Sequence, residues 1–225
     1  VLTDWLSPAK KNGSVIIHVR EPFRKGTFDF LHNFFRSQII KYADAIIAIS
    51  QDNARRINIP LKTTIIYDYC NIPAKNSPEG SYTSKKVLYL GGSSISKGFY
   101  TLVDALEYLH KDVKVFFAGH YVVSHMPRKI LPWIKYQLSN ARKRNAAIQK
   151  MNNSPNSKII GLIHNVGDYL DEVCCLVSPF SVPHFSCPVI EAHMYKKPAI
   201  GTDVEGMDEI IFHEKAIFSQ VECRI

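Results

Sequence analysis

Residues 85–106, KKVLYLGGSSISKGFYTLVDAL, end an apolar run at Gly91 and Gly92, pass through small polar residues from Ser93 onward, and reach Lys97 and Gly98 before a helical pattern. A strand-to-helix turn of this kind presents backbone N–H groups and the positive end of a helix, and both attract an anion. Lys97 adds a full positive charge at the same point. The pattern is neither GxGxxG nor GxxxxGK[ST], so a plain tight turn with a solvated lysine would read the same way.

A second pattern spans residues 176–211, LVSPFSVPHFSCPVIEAHMYKKPAIGTDVEGMDEII. An apolar run leads into a Pro and Ser loop, a helix follows with Glu191 in its first turns, and a further strand leads to the residues TDVEG. A carboxylate near the carboxyl end of a parallel sheet is placed to accept hydrogen bonds from vicinal ribose hydroxyls. Taken alone, Glu191 also reads as a solvated helix residue. A third pattern, SVIIHVREPFRKGTF at residues 14–28, runs a strand into a basic loop. Side chains alternate along a strand, so His18 and Arg20 share one face, whereas an Arg20–Glu21 surface pair would simply cap the strand end.

The elements that must position these residues are short runs of Val, Ile and Phe alternating with stretches of helical period. Strands are expected at Ser14 to Val19, Ala45 to Ile49, Thr63 to Tyr67, Lys86 to Leu90, Val113 to Ala118, Lys158 to Leu162, Val173 to Ser178, Pro198 to Gly201 and Ala216 to Phe218. Most are apolar on both faces, as in parallel sheets covered by crossover helices. Phe99, Leu102, Val103, Leu106 and Leu109 fall on one helical stripe, and another helix starts near Cys187. Residues 68–85, with two prolines and a glycine, read as a linker. The expected division is therefore residues 1–71, a partial first domain, and residues 72–225, a second and nearly complete one.

The composition fits an ordinary folded chain: 225 residues, 46% hydrophobic and 21% charged. Disorder, collagen and a disulfide scaffold are excluded. The five cysteines, at 70, 174, 175, 187 and 223, include no CxxC pair and no histidine at zinc-finger spacing, so no metal site is expected. Cys174 and Cys175 lie in the run VCCLVSPF and read as small reduced hydrophobes. The net charge of +8 makes phosphate-bearing ligands, anionic lipid and nucleic acid all plausible partners. RNP-like aromatics and helix-turn-helix spacing are missing, which argues against nucleic acid. Residues 125–151 hold seven Lys or Arg and no acidic residue; Ile130, Leu131, Trp133 and Ile134 lie beside Arg128, Lys129 and Lys135, as on a helix at an anionic membrane surface. A helix packing its apolar side on a sheet is the alternative.

Taken in order and spacing, these patterns resemble the glycosyltransferases of family four, the group 1 glycosyltransferases, with their two-domain GT-B fold of Rossmann-like sheets. ADAIIAISQDNARRI (43–57) resembles the last strand and helix of the family's first domain. VLYLGGSSISKG (87–98) resembles its glycine loop and lysine. KIIGLIHNVGDYLDEVCCLVSPF (158–180) is similar to the stretch before the donor site, and IEAHMYKKPAIGTDVEGMDEII (190–211) to the glutamate helix, "KP" turn and glycine before a final glutamate.

The resemblance implies transfer of a sugar, with retention at the anomeric carbon, from a nucleotide-diphosphate donor to a glycan or lipid-linked acceptor. The implied enzyme needs neither metal nor cofactor and works in the cytoplasm, peripherally on the inner face of a membrane, in polysaccharide assembly. On this chain Gly91, Gly92 and Ser93 would let backbone approach the diphosphate, Lys97 would clamp it, and Glu191 would hold the ribose. Ser181, His184 and Phe185 would line the sugar pocket, Gly206 and Glu209 would sit beside the nucleotide or brace its loop, and Arg20 with His18 would face the cleft.

Two positions depart from the family pattern. Gly92 stands where an arginine is frequent, and Pro183 stands eight residues before Glu191, where a first glutamate is usual. A phosphate cation and a sugar contact are thereby lost, which keeps open a second reading: a module that binds a nucleotide sugar or a partner without transfer. The chain also starts at Val1, and its short first domain reads as a fragment lacking the start of that domain and the extreme C-terminus.

Overall fold

The computed structural model describes residues 2–23, 30–69, 83–123, 140–211 and 217–218. The chain divides into two compact units. The first comprises Val1–Tyr69 together with Pro183–Phe185 and Glu205–Ile210; the second holds the remainder.

The first unit is built on a three-stranded parallel sheet of β1 (Ile16–Val19), β2 (Ala45–Ala48) and β3 (Thr63–Ile65), in that spatial order. Helices α1 (Leu2–Asn12), α2 (Phe30–Tyr42) and α3 (Gln51–Ile57) alternate with the strands. Val19, Ile39, Ala43, Ile46, Ile57 and Ile59 form its buried core, with Ile17 and Phe23 against them. Local chemistry sets the limits of α3. Ser50 Oγ accepts the Asn53 N–H at 3.0 Å, a standard N-cap. Asn58 then ends the helix in the left-handed region at φ 52°, which asparagine tolerates better than most residues.

The second unit holds a six-stranded, all-parallel sheet. Its strands are β4 (Lys86–Tyr89), β5 (Lys114–Ala118), β6 (Ser157–Gly161), β7 (Cys175–Ser178), β8 (Ala199–Thr202) and β9 (Ile217–Phe218). In space they run β6-β5-β4-β7-β8-β9. The order reverses between β4 and β7, and ligands of open α/β sheets bind at such a switch point, beyond the carboxyl ends of the strands. Alternation buries both faces. Tyr89, Val115 and Phe117 join Phe99, Leu102, Val103, Leu106, Ile148 and Met151 in one core, while the intervening Leu88, Phe116 and Leu176 are buried on the other face.

The helices of this unit are α4 (Phe99–Ala105), continued by a 3-10 turn over Leu106–Tyr108, then α5 (Asn140–Asn153), α6 (Val166–Glu172) and α7 (Cys187–Met194). Helix α4 packs on α5, α6 on β4, and α7 on β7 and β8. All nine expected strands are present, and the expected class, parallel sheets flanked by helices, is the observed one. The helix expected from Phe99 to Leu109 tightens to 3-10 geometry at Leu106. The apolar start of the basic segment lies outside the described residues; its end, residues 140–151, belongs to α5.

Candidate functional site

Adjacent strands β4 and β7 deliver two loops to the same end of the second sheet. The first, Gly91–Gly98, is fixed from below by Tyr89. The Tyr89 hydroxyl lies 3.2 Å from the carbonyls of both Gly92 and Lys97, so one buried donor spans the loop from end to end. Burial pushes the pKa of Tyr89 far up, and the hydroxyl stays a donor. A side chain at Gly91 would run into this tyrosine, its Cβ 2.0 Å from Tyr89 Oη.

The glycine turn itself leans on the end of β5. Gly92 N donates to the Ala118 carbonyl at 3.1 Å, and Ser93 N donates to that of His120 at 3.2 Å. Ser93 Oγ adds a bond to the same His120 oxygen at 3.2 Å. The free backbone N–H groups expected at Gly92 and Ser93 are therefore taken up inside the protein, and an anion at this loop must rely on other donors. The departure at Gly92 has a local cause as well. Its φ is +56°, and a Cβ there would lie 3.0 Å from both His120 N and His120 O, so any side chain at 92, arginine included, is strained.

The second loop, after β7, is stitched to the first. Ser181 N donates to the Ser96 carbonyl at 3.0 Å, and Ser181 Oγ donates to the Ile95 carbonyl at 3.1 Å. Gly98, at φ +73°, lies so close to Pro179 that a Cβ would fall 1.6 Å from the Pro179 carbonyl oxygen. Ser178 Oγ and Ser186 Oγ share a hydrogen bond at 2.9 Å, and Thr202 Oγ1 donates to the Phe180 carbonyl. Ser186 then sits at the N-cap position of α7 without a side-chain cap hydrogen bond, and Glu191 is half-buried on that helix. Lys97 is also half-buried, and its ammonium makes no ion pair or hydrogen bond among the described residues. The structure thus brings Gly91, Gly92, Ser93, Lys97 and Ser181 together in one pair of knitted loops, with Glu191 on the helix that follows.

The remaining candidates belong to the first unit. His184 N donates to the Glu205 carbonyl at 3.0 Å, and His184 Nδ1 lies 3.9 Å from a Glu21 carboxylate oxygen. Phe185 is buried, its ring centroid 5.8 Å from that of Tyr67. Gly206, at φ +90°, passes the His184 carbonyl closely enough that a Cβ would sit 3.2 Å from it. The Glu209 carboxylate accepts the N–H groups of Gln51 at 2.7 Å and Asp52 at 2.8 Å, with the Tyr67 hydroxyl 3.3 Å away. Glu209 therefore caps the positive end of α3, a bracing contact. Arg56 binds Asp52 and Glu205 on the same helix flank. Arg20 pairs with Asp68 at 2.5 Å rather than with Glu21, and His18 is exposed on β1.

Sequence reasoning missed Gly119 and His120. Their backbone cradles the glycine loop: Gly119 is at φ +122°, and a Cβ there would lie 2.7 Å from Gly92 Cα. The signal available was AGH directly after the β5 run, a glycine at the carboxyl end of a central strand. No group of three or more His, Cys, Asp or Glu among the described residues could hold a metal ion, and no helix there is long and apolar enough to cross a membrane.

The family model for glycosyl transferases group 1 matches residues 72–221, more than half of the chain. The chain belongs to that family. No curated protein matches it. Solved structures agree on the fold. Anabaena Alr3699/HepE in complex with UDP and glucose superposes with a TM-score of 0.73 at 16% identity, covering 93% of this chain and 58% of that one. Sucrose-phosphate synthase from Thermosynechococcus elongatus gives 0.71 at 17% identity, covering 96% and 57%. TarM gives 0.67 at 15% identity, covering 93% and 40%. The chain thus spans about three fifths or less of the length of these glycosyltransferases, and its sheets are those of the family's GT-B fold.

Proposed function

We propose that the loops Gly91–Gly98 and Pro179–Ser181 hold the diphosphate of a uridine nucleotide sugar, and that the protein containing this chain transfers the sugar with retention of anomeric configuration. The observation carrying this reading is the Lys97 ammonium, without a partner among the described residues, beside a loop held rigid by Tyr89 and Ser181. Uridine is favoured because Alr3699/HepE was solved with UDP and with UDP-glucose.

Lys97 would neutralise charge developing on the leaving diphosphate, and Glu191 would orient the ribose. A rigid site places such charge without reorganisation at the moment of reaction. The donor phosphate would assist the acceptor hydroxyl itself, so the reaction takes no cofactor and no metal. The acceptor is a glycan or a lipid-linked glycan, and the basic stretch 125–151 would hold the protein on the inner, anionic face of a membrane, in the cytoplasm, during polysaccharide assembly. Nucleic acid has no part in this reading.

The test is turnover of a panel of UDP-sugars by the full-length protein, with the anomer of the product read by proton NMR and EDTA included as one arm. A product of retained configuration at an EDTA-insensitive rate is expected. Inversion, or loss of rate with EDTA, would overturn the mechanism. The second reading, binding without transfer, is favoured by the strain that keeps an arginine from position 92. It predicts saturable UDP-sugar binding with no product.

A further inference from the structure

At the opposite end of β7 from the Pro179 loop, the sulfurs of Cys174 and Cys175 lie 3.8 Å apart. Both thiols are free; Cys175 is buried and Cys174 half-buried. The Ser178 end of the strand is about 10 Å away along three residues of extended chain, so this pair is not part of the donor loops. The pair is held on one flank: Cys174 N donates to the Lys86 carbonyl at 2.9 Å, and Cys174 Sγ lies 3.2 Å from the same oxygen; Lys197, buried at 1% exposure, is near enough for its charge to act on Cys174. A buried carboxylate oxygen of Asp171, Oδ1, finds no hydrogen-bond partner among the described residues.

We propose that Cys174 and Cys175 are a peroxide-reactive dithiol, in which Cys174 is the attacking sulfur and Cys175 the resolving one. The Cys174 thiolate attacks a hydroperoxide, breaking its O–O bond. The sulfur takes one oxygen as sulfenic acid, and the other leaves, with a proton, as water or an alcohol. Cys175 then attacks the oxidised sulfur, its proton leaves with the hydroxyl as water, and a disulfide remains. Two thiols lose two electrons in all, and one hydroperoxide gains them.

The environment divides the roles. The hydrogen bond with Cys175 lowers the Cys174 pKa against the opposing penalty of burial, and the Lys197 charge adds to the lowering. The Lys86 carbonyl works the other way by accepting the Cys174 S–H. The same bond to Cys174, together with burial, pushes Cys175 up, so it waits as a thiol. Access matches, since the half-buried sulfur is the one that must meet the oxidant. Closure draws the sulfurs to about 2.05 Å and pulls on the start of β7, where Cys175 is in register with Val87 of β4.

The test treats the native full-length chain with one equivalent of hydrogen peroxide, blocks remaining thiols, digests with trypsin, and sequences the peptide 159–196 by fragmentation. That peptide also carries Cys187, an internal competitor at the first position of α7. Expected are the loss of two hydrogens between Cys174 and Cys175, reversal by dithiothreitol, and a dimedone-trapped sulfenic acid at Cys174 in Cys175→Ser. Oxidation that starts at Cys187 or another cysteine would overturn the proposal. So would a sulfenic acid at Cys174 of the wild type that persists beside an unmodified Cys175. The wild-type readout stands whether or not the serine variant folds.

Discussion

Gly98→Ala separates the cost of a left-handed backbone from the cost of prising two loops apart. Gly98 and Gly161 share nearly the same backbone, φ +73° and +71°, but a Cβ at Gly98 would fall 1.6 Å from the Pro179 carbonyl oxygen, whereas a Cβ at Gly161 would meet nothing within 4 Å. Alanine at Gly161 therefore pays only the conformational term, about 1–2 kcal/mol. Alanine at Gly98 adds the separation of the loops. That movement breaks Ser181 N to Ser96 O and Ser181 Oγ to Ile95 O, at about 1 kcal/mol each, for a total of about 3–4 kcal/mol. Both glycines lie in the second unit, so urea unfolding followed by circular dichroism compares them in one transition. Gly98→Ala is expected to be the more destabilised by about 2 kcal/mol. Equal losses would refute the claim that these loops are in tight contact.

Two further outcomes are expected. Glu209→Gln keeps the shape of the α3 cap but removes its charge, and should cost about 0.5–1 kcal/mol of stability at low salt, shrinking as salt is raised; a salt-independent loss would contradict the helix-end interaction. His193 is exposed near the end of α7, yet partial desolvation lowers its pKa below the ordinary histidine value, so the unfolded chain takes up this proton first. Stability should fall as pH drops through about 6.5 and below, and urea midpoints of His193→Gln between pH 7.5 and 5.5 should show a shallower decline than the wild type. Parallel curves would refute the assignment.

The strands were legible because a parallel strand buried on both faces must be a short, continuous apolar run, as VLY in β4 and VFFA in β5 are. Two helices of the first unit were not. Helix α1 carries an internal Pro8, and α2 starts without an acidic residue in its first turn, so neither shows the usual start signal. The placement of Lys97 just before α4 and of Glu191 on α7 was readable from the order of the motifs. The fate of the glycine loop was not, because its N–H groups pair with Ala118 and His120, 26 and 27 residues further along the chain, through strand order alone. Arg20 likewise finds Asp68 rather than its neighbour Glu21, since β1 and β3 flank β2 and end side by side with it. Glu209 caps a helix 157 residues before it, a pairing without local trace.

The central claim, that Lys97 binds the diphosphate of a uridine nucleotide, is tested most directly by calorimetric titration of wild type and Lys97→Ala with UDP. Saturable binding by the wild type is expected, weakened about 5- to 150-fold in the variant, the worth of one charge-assisted hydrogen bond of about 1–3 kcal/mol. Equal UDP affinity in the two proteins would contradict it.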